Sequence, residues 1–250
     1  MIFLGYSITP TAKASILFEL GLFLLLIPCV KTTLYLNKLL FLTSNSDIMY
    51  IEFKNHFNKR PLISLIEIQK AFPKLDKRRL TEWNKKGYIE NVKRGFYRFS
   101  DQPLNQETIY FIANKIYHPS YISLESALTY YQIIPEAVFS VTSISSLNTT
   151  NLNSSVGNLT YNHLKENLFF GYELIELNRL TIAFASPEKA ILDYLYLHSN
   201  LISIEDFEGL RWNKEILKTL DLQRFSDYLQ LFNSKRVSRR FKLLLKYVHA

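Results

Sequence analysis

One cysteine, Cys29, stands in 250 residues, so no disulfide can close within the chain and no cysteine-based zinc site can form. A reducing compartment therefore imposes nothing on it, and a cytoplasmic location is expected. Glycine is also scarce: the seven present do not cluster, which excludes a glycine-rich phosphate loop. The five histidines (His56, His118, His163, His198, His249) show no ligand spacing, so neither a metal nor any other cofactor is expected. Long apolar runs are few. The longest, Ile16 to Val30, is interrupted by Glu19 and Pro28. It falls short of the roughly 20 residues that cross a bilayer.

That run resembles the core of a signal peptide, yet only Lys13 precedes it and no small-x-small cleavage site follows in Lys31-Thr-Thr-Leu-Tyr. A second apolar stretch, Leu34 to Leu42, continues without a clear turn, and Met49 then opens an ordinary domain start. The expectation is that translation begins at Met49 and that residues 1–48 are an apolar extension from an over-long reading frame. A single membrane anchor in 1–48 is the alternative, and no membrane contact is expected without it.

What the chain does have is basic charge, concentrated in one place. Of the net +8, residues 49–100 contribute thirteen Lys and Arg against five acids, while residues 101–250 carry fourteen against fifteen. A dense positive field on a short segment is the footprint of a polyanion partner, since a merely solubilising surface mixes both signs.

Within that segment the local signals form a pattern. Ser64-Leu-Ile-Glu67 reads as a capping box opening a short helix, with Leu65, Ile68 and Phe72 on one face and Pro73 stopping it. Lys74-Leu75 makes a turn, Asp76 caps a second helix running to about Lys86, and Gly87 takes a left-handed cap. In that second helix Leu80 and Trp83 face inward, leaving Lys77, Arg78, Arg79, Lys85 and Lys86 to project. Two strands, about Tyr88 to Val92 and Phe96 to Phe99, flank Lys93-Arg94-Gly95 as a hairpin. With a first helix over about Met49 to Phe57, this spells a winged helix-turn-helix with a basic recognition helix and Lys93 and Arg94 at the wing tip. The expected DNA-contacting set is Lys74, Lys77, Arg78, Arg79, Lys85, Lys86, Lys93, Arg94 and Arg98.

Residues 101–250 read as a second, mixed α/β domain with a helical tail, so the fold class is α+β. Helices are expected over about Glu107–Tyr117 and Ser123–Tyr131, strands over Val138–Ser143, Leu159–Tyr161, Phe169–Gly171 and Leu180–Phe184, and a loop over Ser145–Ser155. Ser186-Pro187-Glu188 starts a further helix. Glu188, Lys189 and Asp193 invite comparison with acid–lysine catalytic sets. Lys189 and Asp193 are four apart, the spacing of a helix-surface ion pair, and no convincing further carboxylate completes a nuclease site, so a structural motif is expected. The tail from Asn213 to Val248 is helical in pattern. Between Lys235 and Lys246 it carries six basic residues and no acid, which suits either a second nucleic-acid surface or a solvated helix end.

Three segments together resemble a known family. Ile66-Glu-Ile-Gln, Leu80, Lys86-Gly-Tyr-Ile-Glu and Arg94-Gly-Phe-Tyr-Arg-Phe99 are similar to the winged helix of AbiEi-type antitoxins. Pro119-Ser-Tyr-Ile-Ser-Leu-Glu-Ser-Ala-Leu-Thr-Tyr-Tyr131 with Ile134-Pro135, and Ile182-Ala-Phe-Ala-Ser-Pro-Glu-Lys-Ala-Ile-Leu-Asp-Tyr-Leu-Tyr196, are similar to two later segments of that family. The match spans about residues 49–200. It implies a type IV antitoxin that is not an enzyme, represses its own promoter by binding double-stranded DNA, and counters a nucleotidyltransferase-type toxin without stable binding to it. The competing expectation is a metal-dependent nuclease targeted by the winged helix.

Overall fold

A computed structural model describes residues 45–135 and 140–249. The extension expected over residues 1–48 lies almost wholly outside them, as does the start of the strand expected from Val138. The fold is mixed α+β, with ten helices and two sheets among the described residues. The chain divides into two compact units, residues 1–53 and residues 54–250. Helix α1 is Asn45–Phe57, and all that follows concerns residues 54–250.

The smaller sheet has the order β1-β3-β2, built from β1 (Ile63–Ser64), β2 (Ile89–Lys93) and β3 (Phe96–Phe99), all antiparallel. Between β1 and β2 run α2 (Leu65–Ala71) and α3 (Lys77–Lys85). The expected caps are present. Ser64 Oγ accepts from the Glu67 amide while Glu67 Oε2 accepts from the Ser64 amide at 2.9 Å, and Asp76 accepts from the Arg78 amide at 2.9 Å. These contacts satisfy amides that have no partner within the first helical turn. At the other end of α3, Gly87 adopts φ +74°, the Tyr88 amide donates to Trp83 O at 2.9 Å and the Gly87 amide to Asn84 O at 3.1 Å. That pair of bonds is a Schellman stop, and only glycine takes that φ without strain. Leu80, Trp83, Ile68, Ile63, Ile89 and Phe99 are buried between the helices and the sheet.

The larger sheet has six strands in the order β6-β7-β5-β4-β9-β8. They are β4 (Ser120–Ile122), β5 (Ser140–Ser145), β6 (Thr150–Ser154), β7 (Gly157–His163), β8 (Tyr172–Leu177) and β9 (Leu180–Ala185). Helix α4 (Gln106–Ile116) precedes β4, and α5 (Leu124–Tyr130) follows it. After β9 the chain is helical: α6 (Pro187–Leu197), α7 (Ile204–Leu210), α8 (Lys214–Lys218), α9 (Leu222–Phe232) and α10 (Lys235–His249). Leu62 and Val92 of the smaller sheet's region belong to the same apolar core as the larger sheet, and Phe96 packs against it.

Two expectations fail here. The stretch Ser145–Ser155 is not a loop throughout, because Thr150–Ser154 forms β6, paired antiparallel with β7. Its Thr-Asn-Leu-Asn-Ser composition hides the strand, since polar and Asn-rich sequence normally marks a turn. Phe169–Gly171 is not a strand but the passage from a 3₁₀ turn (Glu166–Leu168) into β8. There Phe169 and Phe170 are apolar for packing against the core rather than for pairing.

Candidate functional site

The nine basic residues expected to meet DNA fall into distinct environments. Arg98 is a correction. It is 3% exposed, and its guanidinium donates to Glu90 Oε2 at 2.8 Å and to the Gln102 carbonyl. Register sets it across from Glu90 on the face of the sheet opposite Ile89 and Phe99, and that face is covered as well, so the arginine is tolerated there because it is paired. Lys93 is a second correction. It ends β2 rather than forming the tip, and its ammonium donates to Ile116 O at 3.1 Å while lying 5.2 Å from the Tyr117 ring centroid. The tip is the two-residue turn Arg94-Gly95, with Gly95 at φ +86°. Arg79 and Lys86 both pair with Glu82, at 2.8 and 3.3 Å, and their hydrogen bonds hold the Glu82 carboxyl below its ordinary range.

Five remain: Lys74, Lys77, Arg78, Lys85 and Arg94 are exposed and make no ion pair among the described residues. On α3, positions 77, 78, 81 and 85 form the face opposite Leu80 and Trp83. Two groups fix this face in place. Asn84 Oδ1 accepts from the Asn91 amide of β2 at 3.1 Å, and Asp76 caps the N-terminus beside Arg78. The product is a helix whose outer surface offers cations plus Thr81, held over a three-stranded sheet with one further cation at the hairpin tip. Such a surface can meet phosphates and present donors to base edges.

The Glu188-Lys189-Asp193 motif proves to be internal. The ion pair between Lys189 and Asp193 exists at the expected spacing, but both residues are 0% exposed and Glu188 is 3% exposed. The expected surface pair is therefore a core pair. Asp193 Oδ2 accepts from Tyr121 OH and from Ser123 Oγ, each at 2.9 Å. The Lys189 ammonium sits 4.9 and 4.8 Å from the ring centroids of Phe170 and Phe232. Burial pushes the Asp193 carboxyl up, opposed by Lys189, Ser123 and Tyr121, and pushes the Lys189 ammonium down, opposed by Asp193. Burial likewise raises the Tyr121 phenol well above its ordinary range, with Asp193 adding to the effect. Glu188 accepts from the Asp221 amide at 3.3 Å and faces Arg224 at 3.6 Å. These groups bind α6 to β4 and α9. Lys189 and Asp193 are sealed from solvent and Glu188 nearly so.

The sequence reading missed Tyr121 and Ser123 as partners of Asp193. Ser123 was expected only near a helix start. It does occupy the N-cap of α5, yet it makes no side-chain cap bond and spends its hydroxyl on Asp193. The available signal was the polar Ser-Tyr-Ile-Ser run that leads into the helix from Leu124, whose hydroxyls need partners if the segment is buried. Among the described residues no group of three or more His, Cys, Asp or Glu is placed to hold a metal, and no helix is long and apolar enough to cross a membrane. No protein-family model matches the chain, and no curated protein matches it in sequence.

Proposed function

We propose that residues 49–100 are a winged helix-turn-helix and that the chain is a DNA-binding repressor of the antitoxin type, acting on its own promoter. The observation that carries this reading is the exposed set Lys77, Arg78 and Lys85 on α3 with Lys74 in the turn before it, left without acidic partners while the neighbouring cations are neutralised. Unpaired like charges on one helix face repel one another by a few tenths of a kcal/mol per pair. They are relieved by a polyanion. The order β1-α2-α3-β2-β3, with β1 closing the sheet beside β3, is the arrangement in which the second helix enters a major groove and the hairpin lies beside it.

The further step, to an antitoxin opposing a nucleotidyltransferase-type toxin without a stable complex, rests on the resemblance of the three segments named above. The interior position of Glu188, Lys189 and Asp193 supports the reading as a non-enzymatic protein, because it removes the one acid–lysine set that invited a nuclease reading.

The test is a salt titration of the full chain on the duplex immediately upstream of its own reading frame, against a random duplex. Five phosphate contacts contribute about −4.5 to the slope of log K against log[salt], and so at least roughly a 500-fold loss between 50 and 200 mM salt. Arg78→Ala should reduce discrimination between the two duplexes, whereas Arg94→Ala should weaken both alike. A flat salt dependence, or equal affinity of wild type for both duplexes, would sink the repressor reading.

A further inference from the structure

The basic run near the C-terminus takes on a definite geometry in α10. Lys235, Arg239, Lys242 and Lys246 are exposed and recur at spacings of four, three and four, so they form one row along the helix. The opposite arc, Val237, Phe241, Leu244, Tyr247 and Val248, is buried in the core. Arg240, between the two arcs, is held by the Leu195 and Ser199 carbonyls at 2.6 and 3.3 Å. It therefore anchors the helix and is not part of the row. No residue of the row makes an ion pair among the described residues.

The surroundings supply no compensation. Two shallow grooves, of about 550 and 450 Å³, flank the N-terminal half of the helix. Their lining includes Gln230, Asn233, Ser234 and Ser238 with the basic side chains, and contains no carboxylate. The helix dipole accounts for cations only in its last turn, where Lys246 sits; at the first turn Lys235 and Arg236 are at the unfavourable end. A row of unpaired cations edged by neutral amides and hydroxyls matches the donor set that proteins turn toward phosphodiesters.

From this we infer that α10 is a second, sequence-independent contact for the phosphate backbone of duplex DNA. The inference deepens the repressor reading and rests on it for the choice of DNA. From Lys235 to Lys246 the helix rises about 16 Å, a length over which one strand of duplex presents about five phosphates. Two other polyanions fit less well. An amphipathic helix on a membrane buries its apolar face in lipid, and here that face is committed to the protein core. Single-stranded RNA is gripped by stacking on exposed aromatics, and the row carries none.

The experiment uses the full chain as wild type, as the triple variant Arg239→Ala, Lys242→Ala, Lys246→Ala, and as Arg78→Ala. Alanine retains helix propensity, and circular dichroism checks that each variant is folded. Each is titrated with salt on the upstream duplex, on a random 30-base-pair duplex, on a single-stranded RNA of the same length, and on vesicles rich in phosphatidylglycerol. The expected result is that the triple variant lowers the slope on duplex by about 2–3 units. Its affinity for random and upstream duplex should fall by the same factor, with discrimination unchanged. An unchanged duplex slope overturns the inference, and so does a loss confined to RNA or to vesicles. The recognition-helix reading is scored separately: it fails if Arg78→Ala leaves discrimination intact, whatever the triple variant does.

Discussion

Replacing Lys189 by Met removes the cation that, among the described residues, faces the fully buried carboxylate of Asp193. Asp193 is 0% exposed, and its remaining partners, the Tyr121 and Ser123 hydroxyls, donate hydrogen bonds but bring no charge. Breaking a buried pair on one side strands the other charge, at a cost of about 3–5 kcal/mol. For a chain of this size that is a fall in Tm of about 6–20 °C. Methionine nearly conserves the volume and suits the Phe170 and Phe232 rings around the ammonium, so little of the loss is a cavity effect.

The pH dependence separates charge from shape. Burial already raises the Asp193 carboxyl in the wild type, and removing Lys189 takes away a factor that lowers it. A carboxyl whose folded pKa lies above its unfolded value contributes stability that is fully present below about pH 4 and is lost as pH rises through the folded value. The gap between Lys189→Met and wild type should therefore be smallest near pH 4 and widen toward pH 7. Adding Asp193→Leu should recover part of the loss. Recovery stays incomplete because Tyr121 and Ser123 then lose their acceptor, at about 1–3 kcal/mol for each hydroxyl left unsatisfied. Urea unfolding followed by circular dichroism across that pH range reads all three quantities. A Lys189→Met protein within about 1 kcal/mol of wild type at pH 7 would refute the argument, because the carboxylate would then have a source of solvation that full burial denies it.

Other outcomes follow from the same geometry. Arg98→Met should destabilise by about 1–2 kcal/mol, since it removes the hydrogen bonds to Glu90 and to the Gln102 carbonyl while Glu90 keeps contact with water, yet leave the salt slope on duplex DNA unchanged; a reduced slope would return Arg98 to the interface. Gly87→Ala should cost about 1–2 kcal/mol from φ +74° alone, because nothing lies within 4 Å of the added methyl. Gly171→Ala should cost clearly more by urea unfolding, since at φ +70° its Cβ would also stand 3.0 Å from Lys189 Cδ and 3.1 Å from Tyr228 Cζ; equal losses at the two glycines would show that space at 171 is not limiting.

Much of the local structure was legible before any coordinates. The Ser64 capping box, the Asp76 cap, the Gly87 stop and the Ser186-Pro187 helix start each depend on residues within four positions of one another, and each is present. What the sequence could not yield was decided by partners far along the chain. The orientation of Arg98 follows from the register of β3 against β2, which sets Glu90 opposite it. Lys93 is drawn from the expected wing tip by a carbonyl 23 positions later. β6 exists because β7 offers it a ladder, whatever its own propensity.

The motif at 188–193 shows the same limit in its sharpest form. Spacing alone fixes that Lys189 and Asp193 share a helix face, and it is silent on whether that face meets water. Burial is decided by Tyr121 from β4 and Ser123 from the start of α5, by Phe170 and Phe232 closing around the ammonium, and by Gly171, whose missing side chain leaves room for the Lys189 stem. An acid–lysine pair that reads like candidate chemistry is thereby an internal tie between a sheet and a helix. The basic row on α10 is the converse case. Its charges look like an ordinary solvated helix end in sequence, and only the packing of the opposite arc, together with the absence of carboxylates in the adjoining grooves, distinguishes it as a surface suited to a polyanion.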